Sequence, residues 1–146
     1  MTYESLGDFI AELEDDGDLR RVSAEVDPHL EIAAIADRVC KWPGGGPAVF
    51  FENVKGRSMP IVVNLLGGHR RMCKALGVES FDDVAARIAG LIQPEVPESW
   101  LETLKLVPQI AHLTRLPPKT VKTGLCQQVV KMGRDVDLRD LTIPHC

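Results

Sequence analysis

Gly44 to Gly68 reads GGGPAVFFENVKGRSMPIVVNLLGG. Ala48-Val49-Phe50-Phe51 is a short apolar run bounded by turn formers, which marks a strand. Asn53-Val54-Lys55-Gly56 reads as a turn, and Pro60 to Leu65 as a second strand. Two strands so close in sequence predict a hairpin. Gly67-Gly68 then leads into a helix with Met72, Ala75 and Leu76 on one face, stopped by Gly77.

Working back toward the N-terminus, Leu6, Phe9, Ile10 and Leu13 recur at i, i+3, i+4 and i+7, the spacing of one apolar helical stripe. Ser5 is placed to cap this helix and Gly17 to stop it. The acidic run Glu14-Asp15-Asp16 at its end opposes the helix dipole, so the last turn is expected to fray. Leu19 to Val26 reads as a strand. Asp27-Pro28 resembles a helix start, with an Asp cap and Pro at the first helical position. Ile32, Ile35, Ala36 and Val39 form the buried stripe of that second helix, which Trp42-Pro43-Gly44-Gly45-Gly46-Pro47 breaks.

Toward the C-terminus, Ser80-Phe81-Asp82-Asp83 resembles a capping box. It opens a helix that turns Phe81, Val84, Ala85, Ile88 and Ile92 inward. Trp100, Leu101, Leu104 and Val107 suggest another helix, ended by Pro117-Pro118. Thr120 to Thr123 and Cys126 to Val130 read as strands, with a turn near Gly133-Arg134-Asp135. The predicted fold is α/β with mixed α+β layers: a small mixed sheet flanked by helices over residues 1–118, then, over 119–146, the opening strands of a second, incomplete unit. The chain stops at Ile143-Pro144-His145-Cys146 as if within an element. The tail after Thr120 is therefore expected to be poorly ordered or paired with another copy.

At 146 residues the chain is long enough for a substantial core. A net charge of -4 gives no electrostatic reason to expect nucleic acid, and 5% aromatic content is too low for base-stacking platforms. Cys40, Cys73, Cys126 and Cys146 are scattered without a CxxC pair, which fits reduced thiols in a cytoplasmic protein. No apolar run approaches the roughly 20 residues of a membrane span.

Few residues carry a chemical signal. Gly44-Gly45-Gly46 lacks both the GK[ST] of a phosphate loop and the GxGxxG of a dinucleotide site, and reads as a flexible connection. Gly67-Gly68-His69-Arg70-Arg71 runs from strand to helix, where free N–H groups and the dipole favour an anion. Its plainer reading is a tight turn with solvated arginines. His29, His69, His112 and His145 have no metal-ligand spacing. His29 is expected to be exposed, and adjacent His145 and Cys146 would point to opposite faces of a strand. Glu12, Glu14, Asp15 and Asp16 read as a solvated face. From these residues no catalytic, cofactor-binding or metal-binding side chain is assigned.

Four segments taken together go further. LGDFIAELEDDGDLRRV, DPHLEIAAIADRV, GGGPAVFFENVKGRSMPIVVNLLGG and DVDLRDLTIPHC, in this order and spacing, resemble the N-terminal region of the UbiD family. That family comprises 4-hydroxy-3-polyprenylbenzoate decarboxylases and related carboxy-lyases. The resemblance covers nearly the whole chain and is least distinctive from Gln93 to Pro118. It implies a longer protein in which an N-terminal α/β domain precedes a split-barrel flavin-binding domain. It implies prenylated flavin mononucleotide (prFMN) with manganese and potassium, and an aromatic or α,β-unsaturated carboxylic acid as substrate. It also implies a homo-oligomer, a place in ubiquinone biosynthesis, and peripheral membrane association suited to a polyprenyl substrate. No position here matches the family's catalytic or metal motifs, so this chain alone is expected to be an inactive scaffold. The alternatives are a non-catalytic interaction module and a small anion-binding domain using Gly67, Gly68, Arg70 and Arg71.

Overall fold

The computed structural model describes residues 3–92, 118 and 120–145. The helix expected around Trp100 to Val107 lies outside them. Two compact units are present, Met1–Ala85 with Asp137–Cys146, and Ala86–Val136.

In the first unit, α1 (Leu6–Asp15) leads to β1 (Leu19–Val26), α2 (Glu31–Cys40), β2 (Ala48–Val54), β3 (Ile61–Val63) and α3 (His69–Leu76); α4 (Phe81–Ile92) follows. The sheet order is β1-β2-β3, with β1 and β2 parallel and β2 and β3 antiparallel. A parallel pair needs a crossover, and α2 supplies it. The mixed sheet and the hairpin agree with the sequence reading, and no closed barrel forms among the described residues.

Alternation along β2 builds the core. Successive strand residues point to opposite faces. Ala48 and Phe50 therefore join Phe9, Leu13 and Leu19 in one cluster. Val49 and Phe51 join Val26, Ile32, Val39 and Val54 in the other. Register agrees with this division: Leu19 pairs with Ala48, Val22 with Phe51 and Val26 with Val54. A bulge between Val22 and Glu25 interrupts β1, and Asn53 Nδ2 donates to the Ser23 carbonyl there at 2.6 Å.

The ends of α1 are both satisfied. Ser5 Oγ accepts from the Asp8 N–H, and Asp8 accepts from the Ser5 N–H, a complete capping box. At the other end Gly17 takes φ 75°. Its N–H and that of Asp18 reach the Glu14 and Leu13 carbonyls. This is a Schellman closure, which satisfies carbonyls of the turn that the acidic run was expected to fray. Gly77 and Val78 close α3 with the same pair of bonds, to Lys74 and Cys73.

Other expectations are corrected. Pro28 is not the first residue of a helix, because α2 begins only at Glu31. The preceding polar groups are committed elsewhere. Asp27 accepts from the His29 N–H, and the Glu31 carboxylate accepts from the Asp27 N–H. Leu30 N–H donates to the His145 carbonyl, and His145 N–H donates to the Pro28 carbonyl. Leu30 adopts φ 66° in that turn.

The second strand of the hairpin is also shorter than Pro60–Leu65. Pro60 has no N–H to donate, and Asn64 turns out of the strand at φ 56°. On α3 the buried residues are Arg71 and Cys73, whereas Met72 and Leu76 are exposed. Leu6 of the α1 stripe and Phe81, Ala85, Ile88 and Ile92 of α4 are likewise exposed rather than inward. No strand forms at Thr120–Thr123 or Cys126–Val130. Residues 125–127, 133–135 and 138–140 make single 3-10 turns instead. An extended segment needs a partner for its backbone groups, and none pairs with it among the described residues.

The closing segment does not hang free. Arg57 Nη1 donates to the Arg139 carbonyl and Thr142 Oγ1 to the Met59 carbonyl. With the bridge between His29 and His145, these bonds fold Asp137–His145 back onto the first unit.

Phe51 and Leu13, both 0% exposed, each fill one of the two clusters. Phe51→Ala is expected to cost about 3–5 kcal/mol and Leu13→Ala about 2–5 kcal/mol of unfolding free energy in urea titrations.

Candidate functional site

The two glycine turns that the sequence treats as separate features meet in space. Asn64, leaving β3 in a left-handed conformation, donates through Nδ2 to the Gly45 carbonyl at 2.7 Å and the Pro47 carbonyl at 2.9 Å. Its own carbonyl accepts from the Gly67 N–H. Gly45, at φ 87°, lies so close to Gly67 that a Cβ there would overlap the Gly67 carbonyl oxygen. A tight αL position pressed against a backbone carbonyl admits glycine alone. The flexible connection expected at Gly44–Gly46 is therefore a pinned loop.

This junction floors a cleft of about 430 Å³ lined by Asp18, Arg20, Trp42, Gly44, Gly68, Arg70 and Arg71, among others. Trp42 presents an exposed indole to it. The solvated arginines of the plainer reading are half right: Arg70 is exposed, with its side chain 60% accessible, whereas Arg71 is not. Arg71 is 3% exposed. Its Nε and Nη2 donate to the Leu65 and Asn64 carbonyls. Burial lowers its pKa, partly offset by the charge of Asp18. Arg70 reaches Asp16 at 2.8 Å and Asp18 at 3.2 Å. The two arginines thus do different work: Arg70 pairs with acids at the end of α1, while Arg71 braces the turn.

Within the acidic cluster Asp15 is exposed as expected, but Glu12, Glu14 and Asp16 are paired with bases. Lys74 of α3 bridges Glu12, at 2.6 Å, and Asp16. Arg21 grips Glu14 at 2.6 Å, reaches Glu52 at 3.1 Å and lies over the Phe50 ring. The Lys74 hydrogen bond holds Glu12 and Asp16 below the usual carboxylate range, and Arg21 does the same for Glu14. Asp27 is lowered first by the His29 N–H and then by Lys55. In the closing segment, Arg139 holds Asp137 down to about 2.

The histidines divide similarly. His29 and His145 rings stand 5.8 Å apart edge to face. His69 lies beside Phe81 and 3.7 Å from Cys73 Sγ. His112 and Cys146 fall outside the described residues. Among the described residues no group of three His, Cys, Asp or Glu side chains is placed to hold a metal. The described residues thus do not fit a manganese site. Cys40, Cys73 and Cys126 are free thiols. No helix among the described residues is long and apolar enough to cross a membrane.

The 3-octaprenyl-4-hydroxybenzoate carboxy-lyase N-terminal domain matches residues 10–88, which contain α2, the whole sheet and both glycine turns. An uncharacterized protein of Aquifex aeolicus (strain VF5) is 44% identical over 144 residues, covering 99% of this chain and 29% of its own length. The closed form of the vanillic acid decarboxylase of Sedimentibacter hydroxybenzoicus superposes with TM-score 0.63 at 26% identity, over 94% of this chain and 26% of that one. An evolved dimeric form of the UbiD-class enzyme HmfF from Pelotomaculum thermopropionicum, solved with prFMN, gives TM-score 0.52 at 34% identity, over 65% of this chain and 21% of that one. This chain belongs to the UbiD family and corresponds to its N-terminal region. It spans about a quarter of the length of these relatives.

Asn64→Ala leaves the Gly45 and Pro47 carbonyls without their donor and is expected to cost about 1–3 kcal/mol. Gly45→Ala adds backbone overlap at positive φ and is expected to cost at least about 2 kcal/mol, both read by chemical denaturation.

Glu12, Glu14, Asp16 and Asp27 have lowered folded-state pKa values. Their contribution is therefore present above the unfolded carboxylate range and lost as pH falls below about 4. The melting temperature should drop in that window, and less steeply in Lys74→Ala.

Proposed function

We propose that this chain is the scaffold region of a UbiD-type decarboxylase that removes CO2, without oxidation, from an aromatic or α,β-unsaturated carboxylic acid such as 4-hydroxy-3-polyprenylbenzoate. The observation that carries the reading is the match of residues 10–88 to a carboxy-lyase N-terminal domain. Likeness over 94% of the chain to a vanillic acid decarboxylase supports it.

In this reading residues 119–146 lead into the flavin-binding split barrel, and prFMN, with manganese and potassium, is held by parts of the protein beyond this region. The flavin supplies an electron sink for the charge that CO2 loss leaves on the substrate. The contribution of this chain is mechanical. Its two-sided core makes a rigid block, and the bonds of Arg57, Thr142 and His145 set the path by which the polypeptide leaves it. The protein works in the cytoplasm as a homo-oligomer, as the dimeric HmfF form supports. Ubiquinone biosynthesis, with peripheral contact to a membrane, is the setting that a polyprenyl substrate would require.

The test measures CO2 release from a panel of aromatic and unsaturated acids in the presence of prFMN and manganese. The 146-residue chain alone is expected to release none, and a longer polypeptide carrying this region is expected to release it. Release by the chain alone would refute the scaffold role. Failure of the flavin-loaded longer protein on every acid of the panel would refute the decarboxylase reading.

A further inference from the structure

The cleft above the glycine junction has a charge balance that the scaffold role does not use. Of its ionisable lining residues, Asp18 and Arg70 pair with each other. Arg71 is buried, yet no carboxylate lies within ion-pair distance of it among the described residues, and both of its hydrogen bonds go to neutral carbonyls. Arg20 is exposed at the same cleft, and its guanidinium makes no hydrogen bond or ion pair with a described residue. Two guanidinium groups therefore line a concave site whose carboxylate, Asp18, is engaged by Arg70 and acts on Arg71 only from beyond ion-pair distance. Trp42 walls it with an indole that is 56% exposed, an unusual position for so large an apolar ring.

We propose that this cleft binds a small oxyanion, a carboxylate or a phosphate group, held by Arg20 and Arg71 against the Trp42 indole. A guanidinium offers a planar fork of N–H donors that matches either group. In Arg71, Nε and Nη2 face the turn, while Nη1 makes no hydrogen bond among the described residues. A ligand that carries a flat ring beside its anionic group gains the indole face as well. The pinned Gly44–Gly46 loop gives the ligand a preformed floor, because Asn64 holds it in place from below. The site lies wholly within the first unit, and the proposal does not depend on the decarboxylase reading.

Tryptophan emission tests it directly. The chain has two tryptophans, so Trp100→Phe leaves Trp42 as the sole reporter. That variant is titrated at constant ionic strength with sodium phosphate and, separately, with sodium benzoate. A saturable change in Trp42 emission is expected with at least one salt. Tighter binding of benzoate assigns a flat carboxylate, and tighter binding of phosphate assigns a phosphate group. Arg20→Ala removes one charge-assisted contact from an exposed position and is expected to weaken binding about tenfold with the melting temperature unchanged. Arg38→Ala, on the exposed face of α2, is the control and should bind as the parent does. Absence of saturation with both salts, or equal affinity in Arg20→Ala, would overturn the proposal.

Discussion

β2 is the member on which the rest of the structure depends. It is the middle strand of three, hydrogen-bonded on both edges and covered on both faces. Every residue from Ala48 to Phe51 is committed to one cluster or the other. A strand buried on both faces is a near-continuous apolar run, and AVFF is one. The parallel pairing with β1 and the antiparallel pairing with β3 both follow from its central place, and so do the positions of α1 and α2. Loss of apolar volume here would loosen two cores at once.

Polar contacts then fix what the core leaves free. The end of α1 and the start of α3 are far apart in sequence, yet Lys74 and Arg70 tie them together through Glu12, Asp16 and Asp18. The pairs are partly exposed, so each is screened by salt and individually weak. Their value lies in registry, since they bring Gly68 and the α3 start to the loop that follows α2. Asn64 completes that arrangement from the other side with bonds to Gly45, Pro47 and Arg71.

Much of this was legible from residue order. The stripe of α1, its Ser5 cap, the strand at Leu19–Val26, the hairpin and the Gly77 stop all rest on local rules of period and turn chemistry. Asp27-Pro28 misled because its local signal, a cap followed by proline, was overridden by a distant partner: His145 occupies the backbone groups that a helical first turn would have used. Arg71 misled for a related reason. Arginine is almost never fully buried without a partner, and its partners here are carbonyls that no pattern of side chains announces.

The candidate cleft was invisible in the sequence because it has no motif. Gly44–Gly46 and Gly67-Gly68 each read as weak signals, and only folding shows that they form one junction with Arg20 and Trp42 around it. The four ordered segments determined the family, since their order and spacing belong to the chain itself. Local periodicity likewise determined which residues make helix and strand. Tertiary structure alone decided which charges lose their water, which acids find a base, and which loops touch. Those outcomes depend on distances between residues tens of positions apart, and a linear pattern carries no information about such distances until the core has closed.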